Sequence, residues 1–350
     1  MRVCWLAIAL GGCGAASVAG PELDPAITAD APVAPAWQTL RTAAMATVFE
    51  ITLPNTATAT AAAKLAFAQF DDIERRCNEW RSQSELATVS RAAGVSAVAV
   101  SPQLMALLTK ALAIAAQSEG AFDPTWAALW GTWDFRPAAV PKVPPAAEIA
   151  RRLKLVGWQR LELDAENGTA YLHDAGMVLG LGGIAKGWAL DQAAAVLRKQ
   201  GVTDALLSAG GQLLALGQGP DGPWQVGLRD PRGGADDVWA KIALRDGESL
   251  ATSGDYEHFF VVDGHRYHHI IDPRTGWPSR GIRAAATISQ AATLADALGK
   301  PLLILGAARG LAVLKPWPQA QAVLVDEQGH WQASPQLRER LVVLHEPLAQ

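Results

Sequence analysis

A chain of 350 residues, 50% hydrophobic and 18% charged, is long enough to bury a sizeable core as one large domain or two lobes. Its formal net charge is −4, with no run of Lys or Arg, which excludes nucleic-acid binding driven by charge. Of the three cysteines, Cys4 and Cys13 fall in the leader, so Cys77 alone remains and no disulfide framework is available.

Arg2, the apolar run Val3–Leu10 and Gly11-Gly12-Cys13 have the parts of an export leader, residues 1–19, rather than of a spanning helix. Leu10-Gly11-Gly12-Cys13 is similar to a bacterial lipobox. The expectation is therefore an exported protein, lipid-anchored at Cys13 on the periplasmic side of a membrane. Cleavage after Ser17-Val18-Ala19 is the competing reading. Residues 20–39, rich in Pro, Ala and Thr, read as a semi-extended tether, and residues 40–345 as the folded body.

Thr47–Leu53 alternates apolar and polar residues as a half-buried strand does. Helical spacing follows, with Leu65, Phe70, Ile73, Cys77 and Trp80 on one face and Cys77 as core packing. Ser84-Glu85-Leu86 reads as a turn. Ser101-Pro102 opens a helix that Gly120 closes. Phe122-Asp123-Pro124-Thr125 is a turn before Trp126, Trp130 and Trp133, which default to core. The Pro-rich 140–145 join precedes a helix ending near Gly157. A hairpin then turns at Glu166-Asn167-Gly168.

Met177–Leu181 reads as a strand running into Gly182-Gly183, and Ala185–Gln200 as a helix stopped by Gly201. Strand, glycine turn and helix N-terminus can bind phosphate through backbone N–H groups. Gly180, Gly182 and Ala185 fit a dinucleotide fingerprint, but Asp204 opens its strand instead of closing it, and no further βαβ units follow. The second half reads as hairpins. In the densest of these, Phe259–Val262 and Tyr267–Ile271 flank Asp263-Gly264, a type I′ signal, with Thr252–Asp255 and His268–Gly276 at the ends.

These segments together resemble the ApbE family, the FAD:protein FMN transferases. The blocks are Met45-x-Thr47, Ser84-Glu85-Leu86, Phe122–Thr125, Leu181–Asp191, Gly210-Gly211, Thr252–Tyr256, His269–Gly276 and Ala295–Leu298, in the family's order. The resemblance implies an α+β fold of mostly antiparallel sheets and packed helices, with a flavin site between two lobes. It implies transfer of the FMN part of FAD, as a phosphoester, to a Ser or Thr hydroxyl of an acceptor protein, expected to be a periplasm-facing redox protein, with AMP released. Such phosphoryl transfer depends on positioning and charge neutralisation.

Carried over residue by residue, the resemblance makes His269 and Asp255 the candidate catalytic pair, with Asp255 or Asp272 orienting the imidazole. It assigns flavin or phosphate contacts to Met45, Trp80, Ala121, Phe122, Asp123, Gly182, Lys186, Trp188, Ser253, Gly254, Ile271 and Thr275. Mg²⁺ is implied on the carbonyl of Ala185, on Asp296 and on a Thr one helical turn later.

That Thr is absent: position 300 is Lys300, followed by Pro301, where a kink or restart is expected. A Lys aimed at Asp296 offers donors only and competes with a dication. Thr293, one turn earlier, is the nearest alternative oxygen. Ala46, Gly180 and Gln212 also depart from the family's usual Gly, Asp, and Asp or Asn. Three functions follow: a transferase with an altered metal site, an FAD-binding protein without transfer, or an FAD pyrophosphatase giving FMN and AMP.

Overall fold

The computed structural model describes residues 36–234 and 236–348; the leader, Cys13 and most of the tether lie outside them. Thr47–Pro54 buries Phe49, Ile51 and Leu53 on one face, as its alternation requires. It pairs with Trp37–Ala44 on one side and Ala205–Ala209 on the other. Among the described residues, eight strands form one antiparallel sheet. Its order is Trp37–Ala44, Thr47–Pro54, Ala205–Ala209, Gln212–Leu216, Ser249–Gly254, Ile282–Ser289, Gln321–Asp326 and Trp331–Ala333.

Ile282–Ser289 is buried at every position, because both sheet faces are covered there. Ala285 faces the helical side; Ala284, Ala286 and Ile288 face a second cluster around Trp224, Trp239 and Ile242. That cluster belongs to a small sheet of Trp224–Arg229, Val238–Leu244 and Val342–Val343. The opposite face carries the helices Ala57–Cys77, Ala185–Lys199 and Ala292–Val313. Mixed helices and antiparallel sheets make the α+β class expected from the sequence.

The helix Ala57–Cys77 buries Ala59, Ala62, Ala63, Ala66, Phe70, Ile73 and Cys77. The buried stripe is therefore an alanine stripe, and Leu65, expected on it, lies off the face at 50% exposure. Trp80 is also off it, 59% exposed, because the helix ends at Cys77 and Asn78 Oδ1 accepts from Trp80 N at 2.8 Å in a turn. Burial pushes the Cys77 thiol up to about 12, as a packing role predicts.

Ser84-Glu85-Leu86 is not a simple turn: Ser84 Oγ accepts from Ala87 N at 3.0 Å and caps the helix Glu85–Arg91. Residues 177–181 do not form a strand beyond an isolated bridge from Val178 to Trp126. Two of their amides are taken by distant segments instead, Leu179 N by Ser90 Oγ of the helix Glu85–Arg91 and Gly180 N by Pro124 O. The helix Ala292–Val313 runs through Pro301 and leaves helical geometry at Gly306, five residues past the expected kink.

The hairpin forms with Asp263 and Gly264 at φ 51° and 76°, as a type I′ turn needs. Its second strand is His265–His268, earlier than the expected Tyr267–Ile271, since a two-residue turn pairs Val262 with His265. Phe260 and Tyr267 seat it on Trp133, whose Nε1 donates to Gly276 O at 2.9 Å.

Candidate active site at the glycine turn and the hairpin base

The turn Leu181–Ile184 is where the predicted segments converge. A side chain at Gly182 would approach Glu79, and one at Gly183 would touch Phe122 and Lys300 at 3.4 Å each. Gly180 has no room either: a Cβ there would lie 2.8 Å from Ala127 Cβ and 2.9 Å from Trp126 Nε1. The indole thus fills the space that an Asp at Gly180 would need.

Beyond the turn, the helix Ala185–Lys199 crosses the start of Ala292–Val313 at van der Waals distance. A Cβ on Gly187 would fall 2.1 Å from Ala292 O. Asp191 ties the two helices, accepting from Ala292 N at 2.8 Å, Thr293 N at 2.9 Å and Thr293 Oγ1 at 2.5 Å. Asp191 is in effect the missing N-cap of the second helix, which has no side-chain cap of its own. Thr293 Oγ1 thus spends its proton on Asp191 and ties the helix junction. Gln212 Nε2 donates to Ala292 O at 2.8 Å and holds the same junction from the sheet.

This crossing brings Asp296, Lys300 and Lys186 together. Lys300 Nζ donates to Asp296 Oδ1 at 2.5 Å, Asp296 O at 2.7 Å and Gly183 O at 3.1 Å. Lys186 Nζ lies 3.5 Å from both Asp296 oxygens and 3.3 Å from Gly182 O. Gly187 N adds a hydrogen bond to Asp296 Oδ2 at 3.2 Å. Burial pushes the Asp296 carboxyl up, but the two ammonium groups outweigh it and hold the group below its usual range. Burial also lowers the Lys300 ammonium, against the pull of Asp296.

These residues do not fit Mg²⁺. The carboxylate already faces two cations, and three oxygens of the seat already accept from Lys300. Ala185, the implied carbonyl ligand, is not among the ammonium's acceptors; Gly183 is. Among the described residues no group of three or more His, Cys, Asp and Glu is placed to hold a metal ion.

His269 lies at the hairpin base, where its N–H continues the ladder to His258 O at 3.0 Å. Its Nδ1 is buried without a hydrogen-bond partner. Burial, then His258 and His268, then Lys300, lower the imidazole to about 3. The adjacent His268 is different: Nε2 donates to Ser279 O at 2.8 Å and Nδ1 accepts from Ile270 N. It is a structural histidine.

Neither expected carboxylate orients His269. Asp255 is clamped by Arg232 Nη1 and Nη2 at 2.7 Å each. Asp272 accepts from Arg274 N, Nε and Nη2, closing its own turn. Asp123 is likewise saturated: Oδ1 accepts from Thr125 N and Oγ1, and Oδ2 from Trp158 N at 3.0 Å, while burial pushes its carboxyl up. It builds the loop under the site. Ala121 and Phe122 are core.

Met45 and Trp188 pack half-buried against the main core, with Met45 N donating to Glu74 at 3.1 Å. Ser253 is buried where the long helix crosses the sheet, since a Cβ on Gly299 would lie 2.7 Å from its hydroxyl. Gly254 lies under Tyr256, whose ring a Cβ would meet at 2.2 Å. Thr275 is exposed, Oγ1 accepting from Trp277 N, and Ile271 bridges to Pro278.

Trp80 stands open and packs tilted, at 47°, against Trp130 with 4.2 Å between centroids, and Trp126 lies edge-on beyond. Two participants were missed by sequence reasoning. His258 packs edge-on against the His269 ring at 5.3 Å. The hairpin register signals it, because a turn at Asp263-Gly264 sets 258 opposite 269. Glu79, half-buried beside Gly182 with its carboxyl pushed up by desolvation, gave no such signal.

The sequence profile of the ApbE family matches residues 45–324. Two curated relatives, each named FAD:protein FMN transferase, come from Rhodobacter capsulatus and Treponema pallidum. The first is 34% identical over 78% of this chain and 52% of its own length, so the match spans about half of that relative. The second is 35% identical over 75% of this chain and 76% of its own length. The crystal structure of the ApbE protein of Thermotoga maritima is similar at TM-score 0.78 and 32% identity, covering 87% of this chain and 99% of that one. The flavin transferase ApbE of Vibrio cholerae gives 0.78 at 26% identity, with the same coverage.

Proposed function

Because the chain belongs to the ApbE family, we propose that it moves the FMN part of FAD onto a Ser or Thr hydroxyl of an acceptor protein, releasing AMP. The observation that carries this reading is the pairing of a proton acceptor with a cationic cradle. His269 holds an unpartnered buried nitrogen, and Lys300, one of the two ammonium groups on Asp296, lies close enough to bias its protonation.

The acceptor hydroxyl oxygen attacks the FMN-side phosphorus of the pyrophosphate, and its proton passes to His269, whose buried Nδ1 has no other partner. The bond from that phosphorus to the bridging oxygen breaks, and its electron pair leaves with AMP. Lys186, held only at 3.3–3.5 Å, is the ammonium free to turn toward phosphate oxygens. The Trp80–Trp130 pair offers an open aromatic face to a planar ring. Asp123, Asp255 and Asp272 act by holding loops.

The acceptor is an exported protein and this chain is anchored beside it, on the strength of the leader and the lipobox-like Cys13. Incubating the full chain with FAD and a Ser/Thr acceptor peptide tests the reading. Flavin on the peptide with one AMP per label supports it. FMN and AMP without labelled peptide mark a pyrophosphatase, and bound FAD without turnover marks a binding protein.

A further inference from the structure

We propose that the Lys300 ammonium is the resident cation of this site, so that transfer here needs no divalent metal. The inference rests on the transferase reading and concerns only how its charge is managed. Lys300 Nζ has three N–H donors, and all three are spent on oxygens: Asp296 Oδ1, Asp296 O and Gly183 O, at 2.5, 2.7 and 3.1 Å. A carboxylate and two carbonyls converging on one point make a seat for a hard cation. The ammonium fills it as a fixed point charge on the chain itself.

Asp296 is 3% exposed, and a carboxylate so buried needs a partner to stay ionised; Lys300 supplies it permanently. The Lys300 side chain keeps 22% exposure, so its charge is not sealed from the cleft. Two ammonium groups face the one Asp296 carboxylate, which can compensate only one of them. Lys300 has no donor left, whereas Lys186 is loosely held. The division of labour follows: Lys300 takes the seat and fixes Asp296, and Lys186 carries the spare charge to the phosphates. No electron moves, and the transferred proton goes to His269.

The prediction is separable from the function. Mn²⁺ binding to the full chain and to Lys300→Thr is measured directly by its spin-resonance signal, and labelling of the acceptor peptide with and without EDTA is followed in parallel. The wild type is expected to bind no Mn²⁺ and to keep its rate in EDTA to within about twofold. Lys300→Thr is expected to bind Mn²⁺, to lose about tenfold or more of its rate in EDTA, and to recover with Mg²⁺. Wild-type labelling that stops in EDTA and returns with Mg²⁺ overturns the inference and leaves the transferase reading intact. Stoichiometric Mn²⁺ binding by the wild type overturns it even if no peptide is labelled. Absence of labelling under every condition, with Mn²⁺ bound only by Lys300→Thr, instead sinks the transferase reading and keeps the seat.

Discussion

Two adjacent histidines at the hairpin base have opposite situations. His268 spends both ring nitrogens on Ser279 O and Ile270 N, while His269 keeps Nδ1 unpartnered. His269→Gln is therefore expected to lower transfer by about 10²–10⁴-fold, with FAD affinity nearly unchanged, as read by labelling rate against flavin fluorescence titration. Because burial holds the imidazole at about 3, its base form persists well below the usual 6.5. The pH–rate profile should show no acid limb near 6.5, and an inflection there would contradict the assignment. A smaller effect sits at the first hairpin turn, where Met45 and Ala46 adopt φ 51° and 57°. The left-handed conformation costs a non-glycine residue about 1 kcal/mol, so Ala46→Gly should stabilise by roughly that amount in urea unfolding.

Helix crossings place the charged groups, and two residues decide the main one. Gly187→Ala would drive a methyl into Ala292 O, 2.1 Å from the ideal Cβ, where backbone must move. A loss of about 3 kcal/mol is expected, with FAD binding weakened because Asp296 and Lys300 shift with the helix. Asp191→Ala removes the borrowed cap and should cost about 1–2 kcal/mol. At this scale the hairpin was legible, because Asp263-Gly264 specifies a turn by chemistry local to two residues. The edge of the helix Ala57–Cys77 was not. Leu65 and Trp80 look like core by hydropathy, but small alanines let the neighbouring helix approach, and the face rotates toward them. The 177–181 segment has the apolar pattern of a strand, but the amides of Leu179 and Gly180 are taken by Ser90 and Pro124, distant in sequence, which no local pattern encodes. Lys300 facing Asp296 was legible from helical spacing; the Gly183 carbonyl completing the seat depends on the tertiary crossing. The Asp255–Arg232 clamp, between side chains 23 apart, was likewise invisible.

Across the molecule, pH should act on stability through the buried histidines. His269 and His268 both have folded values below the unfolded 6.5, so the unfolded chain takes up protons first on acidification. Their contribution is complete above 6.5 and is lost as pH falls below it, for His269 toward about 3. Asp123, Asp191 and Glu79, raised by burial, act in the opposite sense, so the clean test is a difference. Urea stability of His269→Gln should fall less steeply below 6.5 than that of the wild type, and parallel curves would contradict it. On the proposed reading, His269 at the hairpin base is the proton acceptor and Lys300 at the glycine turn the built-in cation of a phosphoryl transfer. The most direct measurement is the ratio of AMP released to flavin bound covalently when EDTA-treated protein meets FAD and the acceptor peptide. A ratio of one, with the flavin on a Ser or Thr oxygen, is the expected result; unlabelled peptide with FAD left whole would contradict it.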